Sequence, residues 1–254
     1  MNVVLLGSGN VATHLALALK AIGENITQVF SPNLINAKTL AKKVGSEAIN
    51  SFSEVERNAD LYIISVKDDA IAEVAGNLKG IDGLVVHTSG TTDLKVLSST
   101  VKHAGVFYPL QTFSKSKDVD FKMIPLCLEA TDDMQLEILK QLANRLSTKV
   151  YQLDGEKRKV LHLAAVFACN FTNHLYALAN DLLTNRDLDF DIIRPLIAET
   201  ADKVMVDLPR NVQTGPALRN DESTINKHLT MLADLPELQE IYITLSNSIK
   251  LVHK

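Results

Sequence analysis

The sequence predicts an α/β fold: a parallel, doubly wound sheet over residues 1–153, followed by an all-helical region over 154–254. Three observations predict it. Short aliphatic runs alternate with segments of helical period as far as Leu153, the pattern of βαβ units. A glycine turn joins the first run to the first helical segment. Beyond Leu153 strand signals stop and long helical patterns take over.

Val3-Val4-Leu5-Leu6 is a continuous aliphatic run, as a strand buried on both faces would be. Further strands are read at Ile26 to Phe30, Leu61 to Val66, Leu84 to His87 and Gly105 to Tyr108. Lys122 to Glu129 and Lys149 to Leu153, with a helix from about Asp132 to Leu146 between them, extend the sheet. In the second half Gly155 to Leu183 reads as one long helix and Asp191 to Val206 as another. A loop from Asp207 to Asp221 leads to two more helices, split at Pro236.

Composition narrows the function classes. Hydrophobic residues are 46% and charged residues 22%, which excludes a disordered chain or a fibrous repeat. The net charge of −4, the 5% aromatic content and the absence of Trp argue against nucleic acid as a partner. Cys127 and Cys169 have no metal-ligand spacing, so no metal site is read, and a reducing cytoplasmic location is expected. The N-terminus lacks a basic stretch ahead of its apolar run, and no run reaches the ~20 apolar residues of a membrane span.

Gly7-Ser8-Gly9-Asn10-Val11-Ala12 lies between a strand and a helix, the context in which Gly-x-Gly-x-x-Ala binds a dinucleotide. Gly7 permits the tight turn, Gly9 lets the backbone approach a pyrophosphate, and Ala12 lets the helix pack closely on the strand. Free N–H groups at the helix start then face the phosphates. A cofactor without a 2′-phosphate usually meets Asp or Glu about 20 residues further on, at the ribose. Here the second strand ends Phe30-Ser31-Pro32-Asn33, without a carboxylate. Ser31 and Asn33 could donate to a 2′-phosphate, and Lys38 could add charge, so NADP is expected as cofactor. The plainer account of these residues is a turn and a helix cap.

Three later strand ends are polar: Val66-Lys67-Asp68, His87-Thr88-Ser89-Gly90 and Tyr108-Pro109-Leu110-Gln111-Thr112-Phe113. Ligands of doubly wound sheets lie beyond such carboxyl ends. Val66 and Lys67 are expected along the ribose, Thr88 and Ser89 near the nicotinamide amide. In the helical half no charged residue stands between Val160 and Asp181, histidine being counted neutral. At ~100° per residue, His162, Cys169, Asn173, Tyr176 and Asn180 share one stripe, with Asn170 at its margin. Such a stripe fits a covered polar contact, either a ligand or a network between subunits. In the loop Gln213 to Asp221, Arg219 offers a fork for a carboxylate, although a surface ion pair with a cap at Asp221 accounts for it equally simply.

These blocks, with His228, resemble Rossmann-type NADP oxidoreductases that carry a C-terminal helical domain of unknown function. By arrangement that family is similar to pyrroline-5-carboxylate reductases and 6-phosphogluconate-dehydrogenase-type enzymes. The resemblance implies a two-domain reductase, commonly a homodimer through its helices. One departure is informative. Enzymes of the 6-phosphogluconate type use a Lys with an Asn four residues later on the long helix. Here Lys159 is followed at that spacing by Leu163, and Asn170 and Asn173 are preceded by Val166 and Cys169. The expected activity is NADP-dependent reduction of a small carbonyl or imine compound bearing a carboxylate. His162, Asn170, Asn173 and Arg219 are the candidate substrate and proton-transfer residues. The alternative is a module that binds NADP(H) without turnover.

Overall fold

The computed structural model describes residues 1–253. Its contacts divide the chain into two compact units, Met1–Cys169 and the remainder from Asn170.

The first unit is built on one eight-stranded sheet. In chain order the strands are β1 (Asn2–Leu6), β2 (Asn25–Phe30), β3 (Glu47–Ile49), β4 (Leu61–Ile64), β5 (Leu84–His87), β6 (Ala104–Pro109), β7 (Leu126–Ala130) and β8 (Val150–Gln152). Their spatial order is β3-β2-β1-β4-β5-β6-β7-β8. The order reverses direction beside β1, the switch point at which doubly wound sheets bind ligands. Helices α1 (Asn10–Ala21), α2 (Leu34–Val44), α3 (Ile71–Asn77), α4 (Lys95–Ser98) and α5 (Asp133–Leu146) connect the strands.

The aliphatic runs form strands because both faces of the sheet are covered. Val3 and Leu5 pack with Leu15, Leu19 and Leu139 on one side, while Val4 and Leu6 pack with Ile64, Leu78 and Val85 on the other. This is the period-two alternation of a strand, with apolar residues on both faces. One pair departs from the expected parallel arrangement: β7 runs antiparallel to β6. No crossover helix stands between them, only a loop with a short 3-10 turn at Phe121–Met123, so the chain returns along its neighbour. The sequence shows no signal for the short edge strand β3, because three residues are too few to show a period.

Helix α6 (Gly155–Ala165) starts at Asp154, whose carboxylate accepts from the Lys157 N–H at 2.8 Å. The sequence places a domain boundary at 153/154, whereas the compact units divide at 169/170. The reason is Arg158. It is 1% exposed, donates through Nη2 to the Thr92 carbonyl at 2.6 Å, and pairs through Nη1 with the Glu129 carboxylate. A buried cation with one acceptor on β7 and one in the turn after β5 ties α6 to the first unit.

The single long helix expected from Gly155 to Leu183 is interrupted by a π-helical turn at Val166–Phe171, before α7 (Thr172–Thr184). A π turn takes in an extra residue. The plain 3.6-residue period on which the stripe from His162 to Asn180 is counted therefore does not run unbroken through this segment. The second unit holds α7, α8 (Arg194–Val206), α9 (Glu222–Met231) and α10 (Pro236–Val252). Asp221 caps α9 by accepting from the Thr224 N–H at 3.0 Å, and α9 meets α10 through His228 Nδ1 and the Tyr242 hydroxyl at 2.8 Å.

Candidate active site

A cleft of about 780 Å³ opens along the carboxyl ends of β1, β2, β4, β5 and β6. Its first wall is the glycine turn. Gly7 has φ +133°, and a Cβ there would lie 2.0 Å from the Ser65 carbonyl oxygen. Only glycine lets β1 turn this close to β4. Gly9 differs: a Cβ there would meet nothing within 4 Å. It is the N-cap of α1, and no side chain caps the helix. The first N–H groups of α1 are therefore left for a ligand. Ser8, Asn10 and Val11 line the cleft as well. Ala12 is fully buried beneath the turn.

At the end of β2, Ser31 is buried, lines the cleft and accepts from the Ser8 hydroxyl at 3.0 Å. Asn33 is otherwise engaged. Its side-chain oxygen caps α2, accepting from the N–H of Ile35 at 2.9 Å and of Asn36 at 3.4 Å. It is a helix cap and is not among the residues lining the cleft.

The far wall joins three strand ends. Val66, Lys67, Thr88 and Ser89 all line the cleft. Thr88 donates to the Ser65 hydroxyl at 3.2 Å, tying β5 to β4. The Ser89 hydroxyl accepts from the N–H groups of Thr91 at 3.1 Å and Thr92 at 2.9 Å, which fixes the turn after β5. His87 beneath it is fully buried, and its Nδ1 accepts from the Ser89 N–H at 3.2 Å. Burial, helped by the nearby Arg158 cation, pushes the His87 pKa down to about 4. It is a neutral structural histidine at this strand end and does not line the cleft.

His162 does line the cleft. Its Nδ1 lies 3.1 Å from the Tyr108 hydroxyl, from the end of β6. Both rings sit over Gly90, where a Cβ would come within 2.7 Å of His162 Nδ1 and 2.9 Å of the Tyr108 ring. Gly90 is thus the seat of the pair. Burial pushes the Tyr108 hydroxyl up to about 12, so it stays protonated across the neutral range. The sequence marks both strand end and helix, but the pairing joins residues 54 apart, and no spacing rule reaches that far. Arg158, which holds the helix carrying His162, is likewise not among the residues the sequence singles out.

Asn170, Asn173 and Arg219 belong to the second unit. Asn173 lines a separate cavity of about 550 Å³ with Tyr176, Asn180, Phe190 and Arg194. Arg219 is exposed, two residues before the Asp221 cap. Among the described residues no group of His, Cys, Asp and Glu is arranged to hold a metal ion.

Residues 2–88 match the family model for NADP oxidoreductase, coenzyme F420-dependent, and residues 124–249 match a domain of unknown function, DUF2520. A candidate NADP oxidoreductase from Bacteroides fragilis is 49% identical over 98% of this chain and 97% of its own, with a TM-score of 0.93. The chain belongs to the NADP oxidoreductase family. It is therefore an oxidoreductase whose cofactor is NADP. A protein from Thermotoga maritima shares the fold at 24% identity, covering 99% of both chains with a TM-score of 0.83. A pyrroline-5-carboxylate reductase from Coxiella burnetii shares it at 15% identity, over 100% of this chain and 98% of its own, TM-score 0.59. No protein with a curated description matches.

The residues present fit NADP. The α1 N-terminus has no side-chain cap, the space above Gly9 is open, and no carboxylate stands at the end of β2 to repel a 2′-phosphate. Gly7, Ser8, Gly9, Asn10 and Val11 would hold the pyrophosphate, Ser31 the ribose end, and Val66, Lys67, Thr88 and Ser89 the nicotinamide half.

Proposed function

We propose that the protein reduces the C=O or C=N bond of a small, carboxylate-bearing compound. The observation that carries this reading is the Tyr108–His162 pair over Gly90, at the end of the cleft away from the β2 ribose position. Bound NADPH supplies a hydride to the substrate carbon, and the chain must supply a proton to the oxygen or nitrogen. His162 is the proton donor. A phenol that stays protonated both donates and accepts. It can therefore partner Nδ1 in either protonation state of the ring, which leaves Nε2 as the atom that gives up the proton. Thr88 and Ser89, fixed by their own hydrogen bonds, orient the nicotinamide amide.

The missing Lys–Asn pair argues against a 3-hydroxyacid substrate, and the cyclic imine named by the Coxiella burnetii relative is the better guide to class. Asn170, Asn173 and Arg219 are assigned to the substrate by their chemistry, Arg219 to its carboxylate. We also read the protein as a cytoplasmic homodimer. Its cysteines are unpaired, and no described helix is long and apolar enough to cross a membrane. The second unit leaves Leu196, Val206 and Leu251 64%, 86% and 72% exposed, the apolar surface of an unfilled interface. Light scattering should give twice the 27.9 kDa chain mass; a monomer at micromolar concentration refutes the dimer.

The test of the activity is NADPH oxidation across cyclic imino acids and 2-oxo acids, beside simple ketones without a carboxylate. Turnover of the carboxylate-bearing compounds alone is expected. Turnover only of the uncharged ketones would refute the substrate class.

A further inference from the structure

The cleft is short of positive charge for the ligand it takes. Among its lining residues Lys67 is the one Lys or Arg, against the carboxylates of Asp68 and Glu73. NADPH brings two phosphate groups at the pyrophosphate and a third at the ribose. Helix dipole and backbone N–H groups offset part of this, equivalent to about half a charge.

Residues 111–120, between β6 and β7, supply a further cation. Three consecutive residues of this segment lie against the start of α1. Asn10 Nδ2 donates to the Phe113 carbonyl at 2.9 Å. His14 Nε2 lies 2.8 Å from the Ser114 carbonyl, and its ring stacks on Phe113 with centroids 5.1 Å apart. Lys115 Nζ donates to the Ser8 carbonyl at 2.9 Å, inside the glycine turn. An ammonium has three donors, and one carbonyl occupies one of them. The side chain is exposed, so its other two donors are accessible to a ligand.

We propose that Lys115 is a cofactor-binding residue, whose ammonium pairs with the pyrophosphate at the Gly7-Ser8-Gly9 turn. Asn10 and His14 are the residues that hold its segment there. The inference rests on the NADP reading of the turn and adds to it a contact from more than a hundred positions away in the chain. The turn alone would bind through backbone groups. Lys115 adds a charge that salt screens and that the pyrophosphate, common to both nicotinamide cofactors, receives.

Calorimetric titration of NADPH and NADH into the full chain tests this, comparing wild type with Lys115→Ala, Lys115→Arg and Gly9→Asp. Lys115→Ala should weaken both cofactors alike, by about tenfold, as loss of one charge-assisted contact does. Lys115→Arg should recover most of the loss, and the alanine variant's affinity should fall less steeply with added salt than that of wild type. Unchanged affinity in Lys115→Ala overturns the proposal, and so does a loss confined to NADPH, which would put the contact at the 2′-phosphate. A wild type that binds neither cofactor, like Gly9→Asp, would refute the turn itself and Lys115 with it. A melting temperature within experimental scatter of wild type is expected for Lys115→Ala; a lowered one accompanied by full loss of both cofactors would count against a direct contact.

Discussion

Val4, Leu6, Ile64 and Val86 in the first unit are fully sealed or within 1% of it, whereas Leu196, Val206 and Leu251 in the second stand mostly open. The buried hydrophobic residues of the second unit are three, Ala217, Ile225 and Leu232, among those described. The first unit completes its own core, because a sheet covered on both faces satisfies its strands without outside help. The second does not. Four helices with apolar residues on several sides call for a further surface, which is the physical basis of the proposed dimer. The difference extends to chemistry. In the first unit Ser8, Ser31, Thr88 and Ser89 of the cleft are already held by hydrogen bonds; in the second, Asn170, Asn173 and Arg219 are exposed.

The proposed assignments predict separable effects, His162 on proton transfer and Arg219 on substrate binding. His162→Ala should lower turnover by ~10²–10⁴-fold, the usual worth of a general acid, and leave cofactor affinity unchanged. Gly90→Ala should act in the same direction, because its Cβ would push His162 and Tyr108 apart. Arg219→Ala should instead raise KM at near-constant kcat. Steady-state kinetics with the substrate from the screen check all three. If Arg219→Ala lowers kcat alone, its assignment to the substrate carboxylate is wrong.

The glycine turn sharpens the comparison within the first unit. Gly7→Ala places a Cβ against a backbone carbonyl at positive φ and should destabilise the fold by about 3 kcal/mol. A Cβ at Gly9 meets no atom within 4 Å, so in Gly9→Asp the fold should survive while NADPH binding falls by about 100-fold through charge repulsion and blocked phosphate contact. Urea melts and titrations of the two variants side by side should show opposite phenotypes. Equal destabilisation would mean that the turn is merely structural.

A third effect belongs to the buried side of the sheet. The ordinary His value is 6.5 and the folded His87 value is about 4. Between these pH values the unfolded chain binds a proton that the folded chain refuses. Stability therefore rises with pH across this window and is lost as pH falls, by up to about 3 kcal/mol below pH 4. Urea midpoints from pH 7 to pH 4 should drop in wild type and drop less in His87→Asn, whose side-chain oxygen can still accept from the Ser89 N–H. Parallel pH profiles would show that other groups govern acid unfolding.

How much of this was legible in the sequence follows the same divide. Gly7 to Ala12 announce their turn because its chemistry lies within six consecutive residues. The strand runs announce the sheet because burial on two faces leaves an unbroken aliphatic pattern. Arg158 and the Tyr108–His162 pair were not legible as partners, since their contacts close only when strands far apart in sequence come together. The π turn at Val166–Phe171 was not legible either, because no residue type in Val166 to Phe171 signals it, while Asn173, Tyr176 and Asn180 of the stripe do line one cavity.

The smallest expected effect tests the finest reading, the preference for the phosphorylated cofactor. Ser31 is buried at the end of β2 and hydrogen-bonded to Ser8, so it is held in place whatever binds. Asn33 caps α2 through its side-chain oxygen, which leaves only its amide NH2 to donate to a phosphate. On the proposed assignment, discrimination at this strand end involves Ser31, the Asn33 amide and the absence of a carboxylate. Ser31→Asp restores the acid that favours a ribose with a free 2′-OH and repels a 2′-phosphate. NADPH affinity should fall by about tenfold and NADH affinity should hold or rise slightly, since two like charges near a protein surface at contact distance cost only a few kcal/mol before screening. Dissociation constants for both cofactors decide it. A wild type that binds NADH more tightly than NADPH, or a variant that loses both equally, would move the origin of the preference away from Ser31.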